Sequence, residues 1–150
     1  MAKRVYINDL TLRDGHQSTA ATRMTTEQCM RVLPIIKDAG YEIFELWGGA
    51  TLDSAIRFTN DDPWERLEKF RDEMGGGDKI QALLRGQNLF AYNPYPDDVL
   101  SAFIRQSIES GAKNMRIFDA LNDIRNLRIA IIATKAYGGI VEAAMSYTTS

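Results

Sequence analysis

An apolar run that leads into polar residues decides the fold of this chain: Lys79-Ile80-Gln81-Ala82-Leu83-Leu84-Arg85-Gly86-Gln87-Asn88. The first part of the run has the length and apolar content of a buried strand, and the second part has the polar content of a loop. Before it, residues 63–74 have a helical pattern that ends at Gly75-Gly76-Gly77. After it, Pro96-Asp97-Asp98 opens another helix, which ends near Ser110. A buried strand between two helices predicts a parallel sheet with helical crossovers.

The same alternation of strand and helix patterns extends along the whole chain. Apolar runs cover residues 5–9, 41–46, 79–84, 114–118 and 140–146, and helical patterns cover residues 26–39, 63–74, 96–110 and 124–137. We therefore predict an α/β domain over residues 1–150, with about five parallel strands and four helices. The length favours an open doubly wound sheet, because a TIM barrel needs eight such units and typically about 250 residues.

Composition narrows the class of protein. The chain is 45% hydrophobic and 25% charged, as in ordinary globular domains, and its net charge of -2 does not predict a nucleic-acid partner. A single cysteine, Cys29, cannot form an internal disulfide, which fits a reducing compartment. No signal peptide and no run of membrane-spanning length is recognisable. We expect a cytoplasmic protein without a membrane span.

Ionisable and amide side chains concentrate where the predicted strands end. In chain order they are Asp9, Arg13, Asp14, His16, Gln17, Glu45, Trp47, Arg85, Gln87, Asn88, Asp119 and Asn122. The loops that enter the strands hold mostly glycine and solvated charge. Because α/β folds place their sites at the carboxyl ends of strands, we predict a functional site there, which favours the barrel architecture. The alternative is that these residues are helix caps and surface charges.

Two arginines in these loops indicate an anionic substrate. Arg13-Asp14 combines an oxyanion donor with an oxygen ligand, which suits a 2-oxo acid whose carbonyl is polarised by a bound cation. A simple ion pair within the loop is the alternative. Arg85 emerges at the end of its strand, and a second arginine at the same centre favours a carboxylate pocket. His16 is the only histidine, and such a residue is more often a hydrogen-bonding group than a metal ligand.

Several blocks of sequence carry a family resemblance. They are Leu12-Arg13-Asp14-Gly15-His16-Gln17-Ser18, Trp47-Gly48-Gly49-Ala50-Thr51, Asp61-Asp62-Pro63-Trp64-Glu65-Arg66-Leu67, Leu83-Leu84-Arg85-Gly86-Gln87-Asn88, Arg116-Ile117-Phe118-Asp119-Ala120-Leu121-Asn122-Asp123 and Ser146-Tyr147-Thr148-Thr149-Ser150. In content and order they resemble the carboxyltransferase domain of pyruvate carboxylase, the oxaloacetate decarboxylase alpha subunit and the transcarboxylase 5S subunit. Aldol-type synthases and lyases share the Arg-Asp-Gly turn and are the alternative class. The His16-Gln17-Ser18 continuation favours the carboxyltransferases.

The resemblance implies a TIM barrel, of which this chain is the N-terminal half, and a reversible reaction. In that reaction carboxybiotin releases CO2, pyruvate loses a methyl proton, and the metal-stabilised enolate captures CO2 to give oxaloacetate. The resemblance also implies that Asp14 binds a divalent metal, which could be Zn, Mn, Co or Mg. The residues implied to hold substrate or line its pocket are Arg13, Gln17, Arg85, Tyr92 and Asp53. We take Arg13, Asp14, Gln17 and Arg85 as the candidate catalytic residues.

The resemblance also implies partners. The family completes its metal site with a carbamylated lysine and a His-x-His pair from later strands, which lie beyond the five predicted here. A half barrel has two open edges, so we expect the remaining half or a second copy to cover them. No Met-Lys-Met attachment motif occurs, and carboxybiotin is therefore expected on a separate carrier protein or domain. The alternatives are a catalytically incomplete fragment or assembly module, and a rearranged open five-stranded sheet.

Overall fold

Five parallel strands form one curled sheet in the computed structural model, which describes residues 4–147 and 149. The strands are β1 (Asn8–Asp9), β2 (Ile43–Gly48), β3 (Ile80–Leu84), β4 (Asn114–Asp119) and β5 (Ile140–Met145). Their spatial order is the same as their order in sequence, and every neighbouring pair is parallel. A doubly wound sheet reverses its strand order, whereas consecutive barrel strands do not. The predicted TIM-barrel type is therefore confirmed.

Six α-helices lie in the described part of the chain. They are α1 (His16–Ala20), α2 (Thr26–Lys37), α3 (Gly49–Ser54), α4 (Pro63–Met74), α5 (Asp97–Ser110) and α6 (Arg128–Ala136). The four predicted helices correspond to α2, α4, α5 and α6, and the short α1 and α3 form within loops predicted to be irregular. Their apolar residues are too few to give a helical period in the sequence. None of the described helices has the length and apolar character needed to cross a membrane.

Local sequence signals set the ends of the longer helices. The Thr25 hydroxyl accepts from the Gln28 N–H at 3.2 Å, while the Gln28 side chain accepts from the Thr25 N–H at 2.9 Å, which makes a capping box at α2. The Asp62 carboxylate accepts from the Trp64 N–H at 2.8 Å, and Pro63 occupies the first turn of α4. Helix α2 continues past Pro34 to Lys37, although proline lacks the N–H that an internal helical position donates.

Two strand boundaries differ from the prediction. Residues 5–7 were predicted as part of β1, but only Asn8 and Asp9 pair with β2. The preceding apolar side chains are exposed because β1 is the edge of the sheet and no other described residue covers it there. Strand β2 was predicted to end at residue 46, but it continues to Gly48. Glu45, which we grouped with the residues at the strand end, therefore lies well inside the strand. Thr148 and Ser150, part of the closing block, lie outside the described residues.

The two faces of the sheet differ in polarity. On the face that carries the helices, the Trp47 ring packs on Trp64 of α4 and Phe103 of α5, with ring centroids 5.1 and 5.6 Å apart. On the concave face, Glu45 of β2 and Arg116 of β4 form an ion pair at 2.8 Å between Oε2 and Nη1. The apolar core therefore lies between sheet and helices, and the charged groups line the barrel interior.

Candidate active site

An open cleft of about 230 Å³ lies at the carboxyl ends of the strands. It is lined by Arg13, Gln17, Gly49, Ala50, Leu83, Arg85, Leu89, Phe90 and Phe118. The fold thus brings together three of the predicted substrate residues, Arg13, Gln17 and Arg85, from the loops after β1 and β3. We call this the arginine cleft.

Arg13 lies in the π-helical turn Thr11–Gly15 that follows β1, and its side chain is mostly buried. The guanidinium forms an ion pair with Glu45 through Nε and Nη2, and its Nη1 donates to Asp14 Oδ1 at 2.9 Å. A guanidinium carries more N–H groups than these contacts use. Two carboxylates therefore hold Arg13 at all three guanidinium nitrogens, and Nη1 and Nη2 each keep one N–H for a further acceptor.

Arg85 follows β3 directly and reaches the arginine cleft without a carboxylate partner among the described residues. A tight turn places it there. The Asn88 N–H donates to the Arg85 carbonyl at 2.9 Å, and Gly86 has a φ of +41°, a region that favours glycine. A Cβ at Gly86 would also lie 2.6 Å from the Asn126 carbonyl oxygen. The turn thus presents an un-neutralised positive charge to the cleft.

Tyr92 and Asp53, the two other predicted pocket residues, line a neighbouring cleft of about 460 Å³. Its lining is Ala50, Asp53, Arg57, Phe90, Ala91, Tyr92 and Tyr95. The Asp53 carboxylate pairs with Arg57 Nε at 2.7 Å, and the Tyr92 side chain is 93% exposed. This tyrosine cleft shares Ala50 and Phe90 with the arginine cleft. The predicted site residues therefore divide between two adjoining clefts.

Asp14, the predicted metal ligand, lies at the surface beside Arg13. Its side chain is 56% exposed, and its Oδ1 accepts the hydrogen bond from Arg13. Within residues 4–147 no group of three or more His, Cys, Asp or Glu side chains is close enough to hold a metal ion. A divalent ion takes about four or more ligands. The described residues supply one candidate ligand and do not fit a metal by themselves.

His16 has a structural role, as the hydrogen-bonding interpretation predicted. The side chain is buried, and its Nε2 accepts from the Met24 N–H at 2.7 Å. Burial lowers the pKa of His16, which the backbone carbonyl of Leu12 partly opposes. The neutral ring therefore carries its proton on Nδ1 and clamps the end of the β1 loop.

Other polar residues at the strand ends also support loops. The Asp119 carboxylate accepts from the N–H groups of Asp123 and Leu121, each at 2.9 Å, and these hydrogen bonds lower the pKa of Asp119. Asn122 exchanges hydrogen bonds with the Ser146 backbone at 2.9 and 2.7 Å. The Gln87 amide donates to the Tyr95 carbonyl at 2.7 Å. These three residues therefore hold turns and loops together, and none of them lines the arginine cleft.

Sequence reasoning missed two buried charge networks. Arg116 of β4 was not predicted to be a site residue, and Glu45 was counted only among the polar residues at the strand ends. Both are charged residues inside apolar strand runs, and that interruption was the available signal. The second network joins Arg66 to Asp61 at 2.6 Å and to Thr26 Oγ1 at 2.8 Å. It ties the start of α2 to α4.

The fold and the arginine cleft together define a class: a segment of a parallel α/β barrel with a cleft lined by two arginines at the carboxyl ends of its strands. No family model matches the chain. The 5S subunit of methylmalonyl-CoA carboxyltransferase from Propionibacterium freudenreichii subsp. shermanii is 47% identical over 148 residues, which is 99% of this chain and 29% of that protein. A pyruvate carboxylase subunit from Methanocaldococcus jannaschii is 45% identical over 97% of this chain and 26% of its own length.

Solved structures give the same result. The carboxyl transferase domain of Rhizobium etli pyruvate carboxylase, determined with oxamate and biotin, superposes with a TM-score of 0.90 at 40% identity. The superposition covers 98% of this chain and 25% of that one. The chain is therefore homologous to carboxyltransferase domains over nearly all of its length, and its five strands are consistent with the N-terminal half of their barrel. It spans between a quarter and a third of the length of these relatives.

Proposed function

We propose that this chain supplies the 2-oxo-acid-binding part of a carboxyltransferase active site. In the complete site, CO2 moves between carboxybiotin and pyruvate or oxaloacetate. The observation that carries the proposal is that Arg13 and Arg85, from loops after different strands, line one cleft at the carboxyl end of the barrel.

The chemistry of the substrate matches the cleft. A 2-oxo acid carries a carboxylate beside its carbonyl, and guanidinium groups bind carboxylates through paired N–H donors. Arg85, which has no carboxylate partner in the described range, binds the carboxylate, and the Gln17 amide adds a neutral donor. When pyruvate loses a methyl proton, negative charge develops on its carbonyl oxygen. A fixed positive charge at that oxygen, such as a guanidinium, stabilises the developing charge and lowers the barrier to proton loss.

We assign the tyrosine cleft to the biotin group, which a separate carrier protein or domain delivers. A ureido ring offers N–H donors and a carbonyl acceptor, and Asp53 and Tyr92 carry the complementary groups. Rhizobium etli pyruvate carboxylase was solved with pyruvate and biocytin together. The shared wall of Ala50 and Phe90 supports neighbouring sites for the two groups in this chain as well.

We further propose that Asp14 is one ligand of a divalent ion whose other ligands come from the rest of the barrel. The same missing part would cover the edge strands β1 and β5, near which Val5, Ile140 and Met145 are exposed. A cytoplasmic location fits the single, buried and unpaired Cys29.

Calorimetric titration with oxamate, a 2-oxo acid analogue, tests the substrate assignment. We expect the unmodified protein to bind oxamate, and Arg85→Met to bind it at least about tenfold more weakly, because the carboxylate loses a charged partner. Arg105→Met is the matched control, since Arg105 lies on α5 and pairs with Glu109 at the surface. Equal affinity of the unmodified protein and Arg85→Met would contradict the proposal.

A further inference from the structure

We infer that Glu45 is a positioning residue for substrate binding, which holds the Arg13 guanidinium in the orientation that the anion requires. The inference rests on the proposed function of the arginine cleft and extends it to a residue that does not line the cleft. Glu45 lies beneath it, inside β2, and its side chain has no exposed surface.

The Glu45 carboxylate lies between two guanidinium groups from distant parts of the chain. Its Oε1 accepts from Arg13, and its Oε2 accepts from Arg116 Nη1 at 2.8 Å. Arg116 in turn donates from Nε to Glu142 Oε1 at 2.6 Å. The other Glu142 oxygen accepts from the Gln81 amide at 2.7 Å. These contacts link β2, β3, β4 and β5 to the Arg13 side chain.

The backbone around Arg13 cannot supply this orientation by itself. Arg13 lies in a single π-helical turn, in which the N–H groups of Arg13, Asp14 and Gly15 all point to the Leu10 carbonyl. Such a turn fixes where the side chain begins but not where its flexible end lies. Glu45 fixes that end, because its strand is hydrogen-bonded on both sides.

A gain in folding stability is a poor explanation for the buried ion pair of Glu45 and Arg13. A buried ion pair commonly stabilises a fold no more than apolar side chains of the same volume would. The remaining consequence of the pair is geometric: it sets the plane of the Arg13 guanidinium, and Arg13 lines the cleft. Glu45 therefore acts on the anion only through Arg13.

Glu45→Gln tests this role because it keeps the shape of the side chain and removes its charge. We expect oxamate affinity to fall by about tenfold to a hundredfold, the usual effect of losing a residue that orients a ligand-binding group. In an Arg13→Met background the same change should have no further effect. A role in fold stability alone would weaken binding equally in both backgrounds. Glu27→Gln, at an exposed pair with Arg31 on α2, is the matched control and should bind oxamate normally.

The outcomes separate this inference from the proposed function. If the unmodified protein does not bind oxamate, the proposed function fails and the inference falls with it. If the unmodified protein binds and Glu45→Gln binds equally well, or weakens binding equally without Arg13, only the inference is overturned. If Glu45→Gln does not fold, nitrogen NMR of the unmodified protein decides. A slowly exchanging Arg13 Nε–H signal, assigned by its loss in Arg13→Met, supports the inference, and a rapidly exchanging one overturns it.

Discussion

Gly49 approaches Phe90 so closely that a Cβ atom on Gly49 would lie 2.3 Å from the Cβ of Phe90 and 2.6 Å from its Cα. The contact joins the first residue of α3, directly after β2, to the loop after β3. Gly49 lines the arginine cleft, and Phe90 lines both clefts. The separation of the two clefts therefore depends on a glycine at this position.

Gly49→Ala should push the start of α3 away from the loop that carries Phe90. We expect a loss of about 1–3 kcal/mol in the free energy of unfolding, the usual range for overpacking, together with weaker oxamate binding. Denaturant unfolding and calorimetry measure the two effects. Gly40→Ala is the control for binding: the φ of +83° at Gly40 disfavours alanine and should also cost stability, but nothing lies within 4 Å of a Cβ there and Gly40 does not line the cleft. Unchanged oxamate affinity in Gly49→Ala would show that the loop contact does not shape the cleft.

Arg66→Met should unfold more easily than the unmodified protein. Arg66 is buried, and it donates to Asp61 at 2.6 Å and to the Met24 carbonyl at 3.1 Å. Removing one partner of a buried ion pair costs about 3–5 kcal/mol, because the other charge is left without compensation. Urea unfolding checks this. Arg71→Met, at a more exposed pair with Asp72, should change stability by less than about 1 kcal/mol.

The ion pair of Asp61 and Arg66 also predicts that the protein loses stability in acid. Burial alone would raise the pKa of Asp61, but hydrogen bonds from the Thr26 N–H and the Arg66 guanidinium outweigh it and lower the pKa below its ordinary value of 3.8. Asp61 therefore contributes stability above that value, and the contribution is lost as the pH falls through the lowered pKa. Asp61→Asn should be less stable at neutral pH. Its difference from the unmodified protein should shrink toward pH 3, and a constant difference in acid titrations would contradict the assignment.

Tyr92→Phe should weaken ligand binding in the tyrosine cleft and leave binding in the arginine cleft unchanged. The change removes one hydroxyl from the tyrosine cleft, so we expect biocytin affinity to fall by roughly five- to tenfold, while oxamate affinity is unchanged. Tyr137→Phe is the control, because its hydroxyl contacts Ser101 on α5. Loss of oxamate binding in Tyr92→Phe would place both ligands in a single site.

Binding of a divalent ion should require the rest of the barrel as well as this chain. Because the described residues supply one candidate ligand, we expect less than one divalent ion per chain in protein purified without partners. In an assembly with the rest of the barrel, one ion should bind, and Asp14→Ala should lose it. Elemental analysis after gel filtration measures both. A stoichiometric ion in the chain alone that persists in Asp14→Ala would exclude Asp14 as a ligand.

Local sequence determined most of the secondary structure. Asp62 and Pro63 predicted the start of α4, and Gly75 its end, because caps and stops depend on a few neighbouring residues. Periodicity predicted the order of strands and helices, and the strand ends located Arg13 and Arg85. The short helices α1 and α3 escaped prediction because tertiary contacts stabilise them.

Only the tertiary structure decided how the polar side chains are grouped. The sequence placed Arg13, Arg85, Tyr92 and Asp53 at one end of the barrel, but packing of the loops divided them between two clefts. Glu45 and Arg116 are 71 residues apart, and their contact exists because β2 and β4 face the same interior. Such pairings depend on which strands become neighbours and which faces they share. Local propensities do not specify which side chains meet inside the barrel. Those contacts form only when the whole sheet curls.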